Sequence, residues 1–598
     1  MGVKLDGTIH SEDIQAFDTC IKVLAGPGAG KTHWLIGQIK HILNDATDLG
    51  LSRKVGCITY TNKATENILN HVGANNNRLE VSTIHAFLYK NIIKPYFHLI
   101  AEEEGFAIDK LDGHDETIIS SYGFVSELMT ANRMGMLVKY AKESYKLKQT
   151  VEDYRWGLTK KGIVLQKSIN FLRLPGVGDK YVQAYKKKVW REYGIMNHDD
   201  VLYFTYKLLE KEPRIIRLLV SRYPYLLIDE YQDSSSIQHW LFTKLAEAGC
   251  KITLIGDKAQ SIYTFAGADI ANIDKFTAPG IKTFTIADNH RSTQSIIDFL
   301  NILRTDLKQK SLRKECFEKV TIVCGNSVDA YKKALENCGD EELYALTWKN
   351  EDANVMKLGL EANGKKEDLL GHLSEYDSNS DRRRMVVNVI TGIENARQLI
   401  MDDAVKYIAK GFHLNTKHIN QKKAAIVNMY ALLKAYDEYC NGSLLDFLNK
   451  LREIDDSIPK VSRGGVLEAY QKPYADYAKS VNYTDDNTHF ITIHKSKGLG
   501  FDNVLLVFPE KEVGLGFLIK TDLTQADDDH RLYYVACSRA RNRLFINLPM
   551  LDEAEKKQLK TRFGEAIDFW ELKTKNSLRY EGIWNVYDCS LFNDSCIM

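Results

Sequence analysis

At 598 residues the chain is too long for one compact core, and roughly two to four domains are expected. Hydrophobic residues make up 44% and charged residues 27%, ordinary values for a globular protein. With 80 basic against 79 acidic residues the net charge is +1, which excludes a grip on nucleic acid through bulk charge and confines any such grip to a local groove.

The ten cysteines form no C-x-x-C pair, so zinc ribbons, thioredoxin-type redox chemistry and iron–sulfur spacing are unsupported. Scattered thiols fit a reducing compartment. The N-terminal segment lacks the apolar core of a secretory signal, and no apolar run nears the roughly 18 residues that cross a bilayer. The expectation is a cytoplasmic protein with no membrane partner.

In chain order, Ile21–Ala25, Val55–Thr61, Tyr225–Asp229 and Ile252–Gly256 read as short buried strands. After the first, Leu35, Ile39, Ile42 and Leu43 keep a helical period. A second set follows at Val320–Val323, Phe490–His494, Val504–Phe508 and Leu544–Ile546. Strands alternating with helices imply parallel sheets with βαβ crossovers. The reading is an α/β fold with two parallel-sheet domains, each interrupted by a mainly helical insertion. The first domain is assigned residues 1–91 and 193–280, with its insertion at 92–192. The second is assigned 281–344 and 485–598, with a reduced insertion at 345–484.

Ala25-Gly26-Pro27-Gly28-Ala29-Gly30-Lys31-Thr32 follows the first strand and opens a helix. It has the form of a phosphate-binding loop with Ala25 in the first glycine position. Glycines let backbone N–H groups approach phosphate oxygens, and the helix N-terminus adds its dipole. Lys31 is placed to reach the β- and γ-phosphates and Thr32 to ligate Mg²⁺. The strand Tyr225–Asp229 ends in paired carboxylates, which puts Asp229 near the metal and Glu230 near an attacking water. ATP and Mg²⁺ are the expected ligands.

Asp229-Glu230-Tyr231-Gln232-Asp233 resembles the DEXQD box of the UvrD/Rep/PcrA family of superfamily 1 helicases. Further matches follow in the family's order. Thr59–Ala64 resembles TFTNKA, Thr83-Ile84-His85 resembles TFH, and Gly256–Tyr263 resembles GDxxQSIY. Asn289-His290-Arg291-Ser292 resembles NYRS, Thr492–Leu499 resembles TLHxxKGL, and Tyr534–Ala540 resembles YVxxTRA. The resemblance implies two RecA-like domains and an ATP-dependent motor on single-stranded or tailed duplex DNA, travelling 3′→5′. It casts Gln260 as sensor of the γ-phosphate, and Arg291 and Arg539 as two arginines that the second domain points into the site.

Three positions depart from the family's pattern. Gln15 stands for its adenine-contacting glutamine at a shorter spacing to the loop. His290 takes the place of an adenine-stacking tyrosine, and Gly500 replaces the glutamate that touches the ribose. The expectation is intact phosphate chemistry with loosened selectivity for adenine and ribose.

Single-strand motors hold bases on aromatic faces and phosphates with polar groups. The resemblance assigns base stacking to Tyr60 and Phe265, and puts Thr61, Asn62, Thr83, His85, Tyr263 and His494 on the same track. Phe265 is read either as that platform or as a core side chain, and Ala266 replaces an arginine in its loop. Leu174–Gly178 followed by Tyr185–Lys188 is read as a DNA-backbone hairpin or as a plain turn with a solvated lysine face. Arg382-Arg383-Arg384 is read as a solvated basic face. A second functional reading is a regulatory ATPase that gates a partner nuclease. It rests on the short interval between Arg291 and His494, and on an outline similar to the helicase subunits of Gabija-type anti-phage systems.

Overall fold

The computed structural model describes residues 5–572, apart from 51, 74–76, 112, 115–117, 120–121, 135–146, 148–149, 168–177, 359–368, 378, 398–399, 415–418, 482–488 and 524–527. The first strands among the described residues are β1 (Gly7–Thr8), β2 (Ile21–Ala25), β3 (Val55–Thr59), β4 (Leu79–Thr83), β5 (Tyr154–Thr159), β6 (Gly162–Lys167), β7 (Tyr225–Ile228), β8 (Lys251–Gly256) and β9 (Lys282–Ile286). Seven of them build one sheet in the order β1-β9-β2-β8-β7-β3-β4, with every neighbouring pair parallel. Along β7, Tyr225 and Leu227 face one hydrophobic cluster, which contains Trp34, Leu35 and Ile39 of the helix Lys31–Asp45. Leu226 and Ile228 face the opposite cluster with Phe204 and Leu241. Strands buried on both faces read as continuous apolar runs, which is why the sequence exposes them.

A small parallel pair, β10 (Asp288–Asn289) and β11 (Lys310–Ser311), leads to the second lobe. Its strands are β12 (Val320–Cys324), β13 (Leu343–Thr347), β14 (Phe490–Thr492), β15 (Phe501–Val507), β16 (Ala540–Leu548) and β17 (Ile567–Glu571). They form a second all-parallel sheet in the order β14-β13-β15-β16-β12-β17. The side chains of β15 again alternate: Val504 and Leu506 pack into one core, Leu505 and Val507 into the other. This is an α/β fold of two RecA-like parallel sheets. No helix among the described residues is long and apolar enough to cross a membrane.

Several expected boundaries are corrected. β9 pairs with β2 and β1, so the first sheet continues past residue 280. Its sequence KTFTI alternates with polar residues and carries no apolar run. β13 runs across the boundary set at 344, a strand hidden by the charged residues before it. The strand expected over Phe490–His494 stops at Thr492, where the helix Ile493–Ser496 begins. The first insertion is not all helix, because β5 and β6 form an antiparallel hairpin within it. The second insertion is helical in its described parts and has its own core around Tyr439, Phe447, Tyr474 and Tyr477.

Of the proposed DNA-backbone hairpin, Leu174–Val177 lies outside the described residues, and the lysines beyond it are not a solvated face. Lys186 is buried against Asp200 at 2.6 Å, and Lys188 pairs with Glu127 and Glu192 at 3.0 Å. Arg382 is likewise buried in an ion pair with Asp377, so the triplet 382–384 is not a uniformly solvated basic face.

Candidate active site and strand track

Parallel strands end at one edge, and ligands of such sheets collect there. In the first lobe β2 ends at the glycine loop, β3 at Tyr60, β4 at Thr83, β7 at Asp229 and β8 at Asp257. Thr59 and Thr83 are direct cross-strand partners, which delivers Tyr60–Asn62 and Thr83–His85 to neighbouring positions.

The loop turns through left-handed backbone at Gly28 (φ 69°) and Gly30 (φ 79°), which only glycine adopts without strain. It is also tightly packed. A Cβ at Gly28 would lie 2.7 Å from Arg291 Cβ, and one at Gly30 would lie 2.8 Å from Ser11 Cβ. Gly26 is covered by the side chain of Gln309. The Pro27 carbonyl accepts from Asn289 Nδ2 at 2.7 Å and Gln309 Nε2 at 3.1 Å, and the Gly28 carbonyl accepts from His290 N at 2.9 Å. Residues 289–309 therefore seat directly on the loop. Ala29 is buried within it, and Lys31 folds its ammonium toward the Ala25 and Gly26 carbonyls at 3.5 and 3.4 Å. These loop residues fit a phosphate: free N–H groups at a helix start, a lysine beside them, and no room for side chains.

Asp229 is half-buried just past β7, and desolvation pushes its carboxyl well up, with Glu230 adding to the effect. Glu230 sits in left-handed backbone (φ 51°), unusual for a non-glycine residue. Lys31 and Lys497 hold the Glu230 carboxyl below its ordinary value against burial. With Thr32 beside Lys31, a single carboxylate and a hydroxyl suit Mg²⁺, which keeps waters and phosphate oxygens as its other ligands. No larger group of metal-ligating side chains occurs among the described residues.

From Glu230 a chain of hydrogen bonds crosses the cleft. Gln232 Nε2 donates to Glu230 Oε2 at 2.5 Å, and Asp257 N donates to Gln232 Oε1 at 2.9 Å. Gln260 Nε2 donates to Asp257 Oδ2 at 2.6 Å, and Arg539 Nη2 donates to Gln260 Oε1 at 3.1 Å. Arg304 anchors Asp257 from the second lobe at 2.8 Å. That ion pair overcomes burial and holds the Asp257 carboxyl below its ordinary value.

Arg291 donates to the Ser538 carbonyl at 3.1 Å. Burial, then the charges of Arg539 and Arg541, depress its proton affinity strongly, and burial lowers Arg539 to about 10.

Gly500 lies here. A Cβ at that position would lie 3.2 Å from Arg291 Nε and 3.5 Å from Arg541 Nε, so a side chain there would pack against both arginines. His290 hydrogen-bonds Ser11 Oγ through Nε2 at 3.0 Å. Gln15 is tied through its backbone to the buried side chain of Gln38, and Ser11 is the residue that reaches the His290 ring.

Beside the cleft runs a row of aromatic rings. Tyr60 stacks on Tyr263 with centroids 4.7 Å apart, Tyr263 lies 6.0 Å from Phe265, and Phe265 meets His494 edge-on at 5.7 Å. Tyr60 and Phe265 are each 41% exposed, so the core reading of Phe265 is excluded. Thr61 caps the helix Asn62–Val72, accepting from Ala64 N at 3.2 Å, and Asn62 is exposed beside it. His85 packs on His198 at 4.6 Å. Lys497 lies 4.5 Å over the Tyr263 ring and links lobes by pairing with Asp233 at 2.5 Å.

The family model of the UvrD/REP helicase N-terminal domain matches residues 8–281, and that of the UvrD-like helicase C-terminal domain matches residues 369–549. The chain belongs to the UvrD/Rep/PcrA family. It is 28% identical over 352 residues to the ATP-dependent DNA helicase PcrA of Staphylococcus epidermidis, a match covering 58% of this chain and 45% of that protein. It is 26% identical to Gabija protein GajB of Bacillus cereus over 54% of this chain and 52% of that one. Similarity to YjcD of Bacillus subtilis is 23% but covers 88% of this chain and 76% of the relative. The chain thus spans about half the length of PcrA and GajB.

The structure brings Lys31, Thr32, Asp229, Glu230, Gln260, Arg291 and Arg539 around one cleft, and Tyr60, Tyr263, Phe265 and His494 into one row. Sequence reasoning missed Arg304 and Gln309, which lie in no motif. It quoted Gln232, Asp257 and Lys497 within motifs and gave them no role. A signal existed for Asp257, since a carboxylate ending a second strand beside the first calls for a cationic partner.

Proposed function

We propose that this chain is an ATP-driven motor on single-stranded DNA, a helicase or translocase that travels 3′→5′ in the manner of its family. The supporting observation is the hydrogen-bonded chain from Glu230 through Gln232, Asp257 and Gln260 to Arg539, which ties the water-activating side of the cleft to the opposite lobe. In this reading the loop Gly26–Gly30 and Lys31 bind the triphosphate. Bound Mg²⁺, held by Thr32 and Asp229, supplies charge neutralisation between the phosphates. Glu230 takes the proton of the attacking water, and Gln232 orients it. Arg291 and Arg539 lie against the transferring phosphate, a contribution of about 10³–10⁵ in rate for one such arginine. His290, oriented by Ser11, offers a stacking face to the base. Gln15, held through its backbone by Gln38, is the glutamine offered to the adenine.

Because both arginines come from the second lobe, lobe closure and hydrolysis are one event. Tyr60, Tyr263, Phe265 and His494 span the same junction and hold bases while the lobes move, with Thr61, Asn62, Thr83 and His85 along the backbone path. This reading keeps the cytoplasm as the working compartment.

The test is strand displacement on duplexes with 3′ or 5′ single-stranded tails, with and without ATP. ATP-dependent opening of the 3′-tailed duplex alone is expected; opening of neither, with ATP turnover intact, contradicts the helicase reading. The similarity to GajB favours one alternative, an ATPase that gates a partner nuclease. That alternative predicts turnover without unwinding.

A further inference from the structure

The aromatic row holds bases, and a strand also needs its phosphates held. Lys497, the cation nearest the rings, is committed to Asp233 and to the Gln260 carbonyl at 3.1 Å. Ala266 occupies the loop position where an arginine would serve.

A cation reaches the same place from the first insertion. Along β5 the side chains alternate: Tyr154 and Trp156 are buried in hydrophobic cores, and Leu158 packs against one of them. Arg155, Gly157 and Thr159 take the opposite face. Arg155 is half-buried and stands at the 264–267 loop, where a Cβ on Gly267 would lie 4.0 Å from Arg155 Cβ. Its charge is felt at Tyr60, where it opposes the upward push that burial, Asp233 and Tyr263 give the hydroxyl. Directly across the hairpin is Gln166, whose side chain covers Gly157 so closely that no Cβ fits there. Among the described residues the Arg155 guanidinium holds no hydrogen bond or ion pair. Asp199 and Asp153 both feel its charge; Asp199 accepts from Trp156 N at 2.8 Å and lies 3.8 Å from Lys186.

The mount is rigid. Trp156 Nε1 donates to Asp200 at 3.0 Å, its ring stacks on Tyr203 at 4.2 Å, and Leu158 N donates to Ser236 Oγ at 2.9 Å. Ser235, one residue earlier, bridges to Ala268 at the end of the aromatic loop. Hairpin and loop are fastened to the same helix start, just after the carboxylates of the cleft.

We propose that the β5–β6 hairpin is a wall of the strand track, on which Arg155, with Gln166 beside it, binds a phosphate of the DNA whose bases lie on Tyr60, Tyr263 and Phe265. The proposal rests on the strand-track reading and adds the phosphate contact the aromatic row lacks. A guanidinium offers forked N–H donors that match phosphate oxygens. The contact is independent of sequence and sensitive to salt.

The experiment measures binding of the full chain to dT and dA oligonucleotides by fluorescence anisotropy across a salt series, for the wild type, Arg155→Ala, Arg155→Lys and Phe265→Ala, with melting temperatures alongside. Arg155→Ala should weaken both oligonucleotides about tenfold. It should also reduce the slope of log affinity against log salt by about 0.7, the value for one single-strand phosphate. Arg155→Lys should retain the slope, and basal ATP turnover without DNA should be unchanged in both. Phe265→Ala should lose affinity with the slope intact. If Phe265→Ala behaves so while Arg155→Ala keeps wild-type affinity and slope, the Arg155 proposal falls alone. A lowered melting temperature with an unchanged slope also overturns it, by showing a packing role. A wild type that binds neither oligonucleotide, or a Phe265→Ala that binds as well as wild type, overturns the track reading and the proposal with it.

Discussion

In the nucleotide cleft, charged groups answer one another: half-buried Glu230 and the buried Gln232, Asp257, Gln260, Arg304 and Arg539 form one connected set. Along the strand track a short distance away, Tyr60 and Phe265 are exposed, and their partners are rings at stacking distance. On the proposed function, the difference follows from what each region would hold. A transferring phosphate needs fixed charge in a medium of low dielectric, where every unpaired group is costly. A moving strand needs contacts that can be made and released, and stacking on an open face supplies them in independent steps. Truncations in the cleft should therefore be strongly coupled, and truncations in the track should add.

The largest effect is expected from the cleft's arginine. Arg539→Ala should lower ATP turnover by about 10³-fold or more, and Gln260→Ala combined with it should add little, because the two act through one hydrogen bond. Losses that multiply would break the picture of a connected set; steady-state turnover of the two single variants and the double variant decides it.

Next comes Arg304→Ala. It leaves the buried Asp257 carboxylate without its cation, since the two side chains are 5% and 0% exposed. Removing one partner of such a pair costs about 3–5 kcal/mol, read by denaturant unfolding. Asp257 owes its lowered carboxyl to Arg304 and keeps a folded value below the unfolded one, so its contribution is present above the unfolded value and lost as pH falls through the folded one. The wild type should accordingly lose more stability than the variant on acidification; equal acid sensitivity would sharpen the comparison against us.

The smallest effect belongs to the rim of the track. Thr61 caps the helix Asn62–Val72, and Thr61→Ala should cost about 1 kcal/mol of stability. Thr61→Ser should restore it, and thermal melts of both variants measure the difference.

The two regions were also unequally legible in the sequence. Cleft residues at the ends of buried strands declared themselves, because an apolar run that stops at Asp229-Glu230, or at a glycine loop opening a helix, has few other uses. The residues that complete the cleft did not: Arg304 and Gln309 reach it across the fold from segments with no motif, and such pairings appear only once the sheets are assembled. The aromatic row was readable as residue types, whereas the exposure of Phe265 was not, since an isolated ring serves core or surface equally. Gly500 looked like a lost contact, and that it lies against Arg291 and Arg541 has no trace in local sequence. β9 and β5 escaped notice because KTFTI and YRWGLT mix polar with apolar residues and carry no long apolar run. The lysines at 186 and 188 misled in the opposite direction, since a basic run promises solvent and these two are buried in ion pairs.

The account's central claim is that strand binding on the aromatic row and phosphate chemistry in the cleft are one coupled event. Steady-state ATP turnover with and without saturating single-stranded DNA, for the wild type and Phe265→Ala, tests it most directly. The account predicts strong stimulation of the wild type, and a variant that keeps its basal rate and melting temperature but loses most of the stimulation. A wild type indifferent to DNA, or a Phe265→Ala stimulated as fully as the wild type, would contradict it.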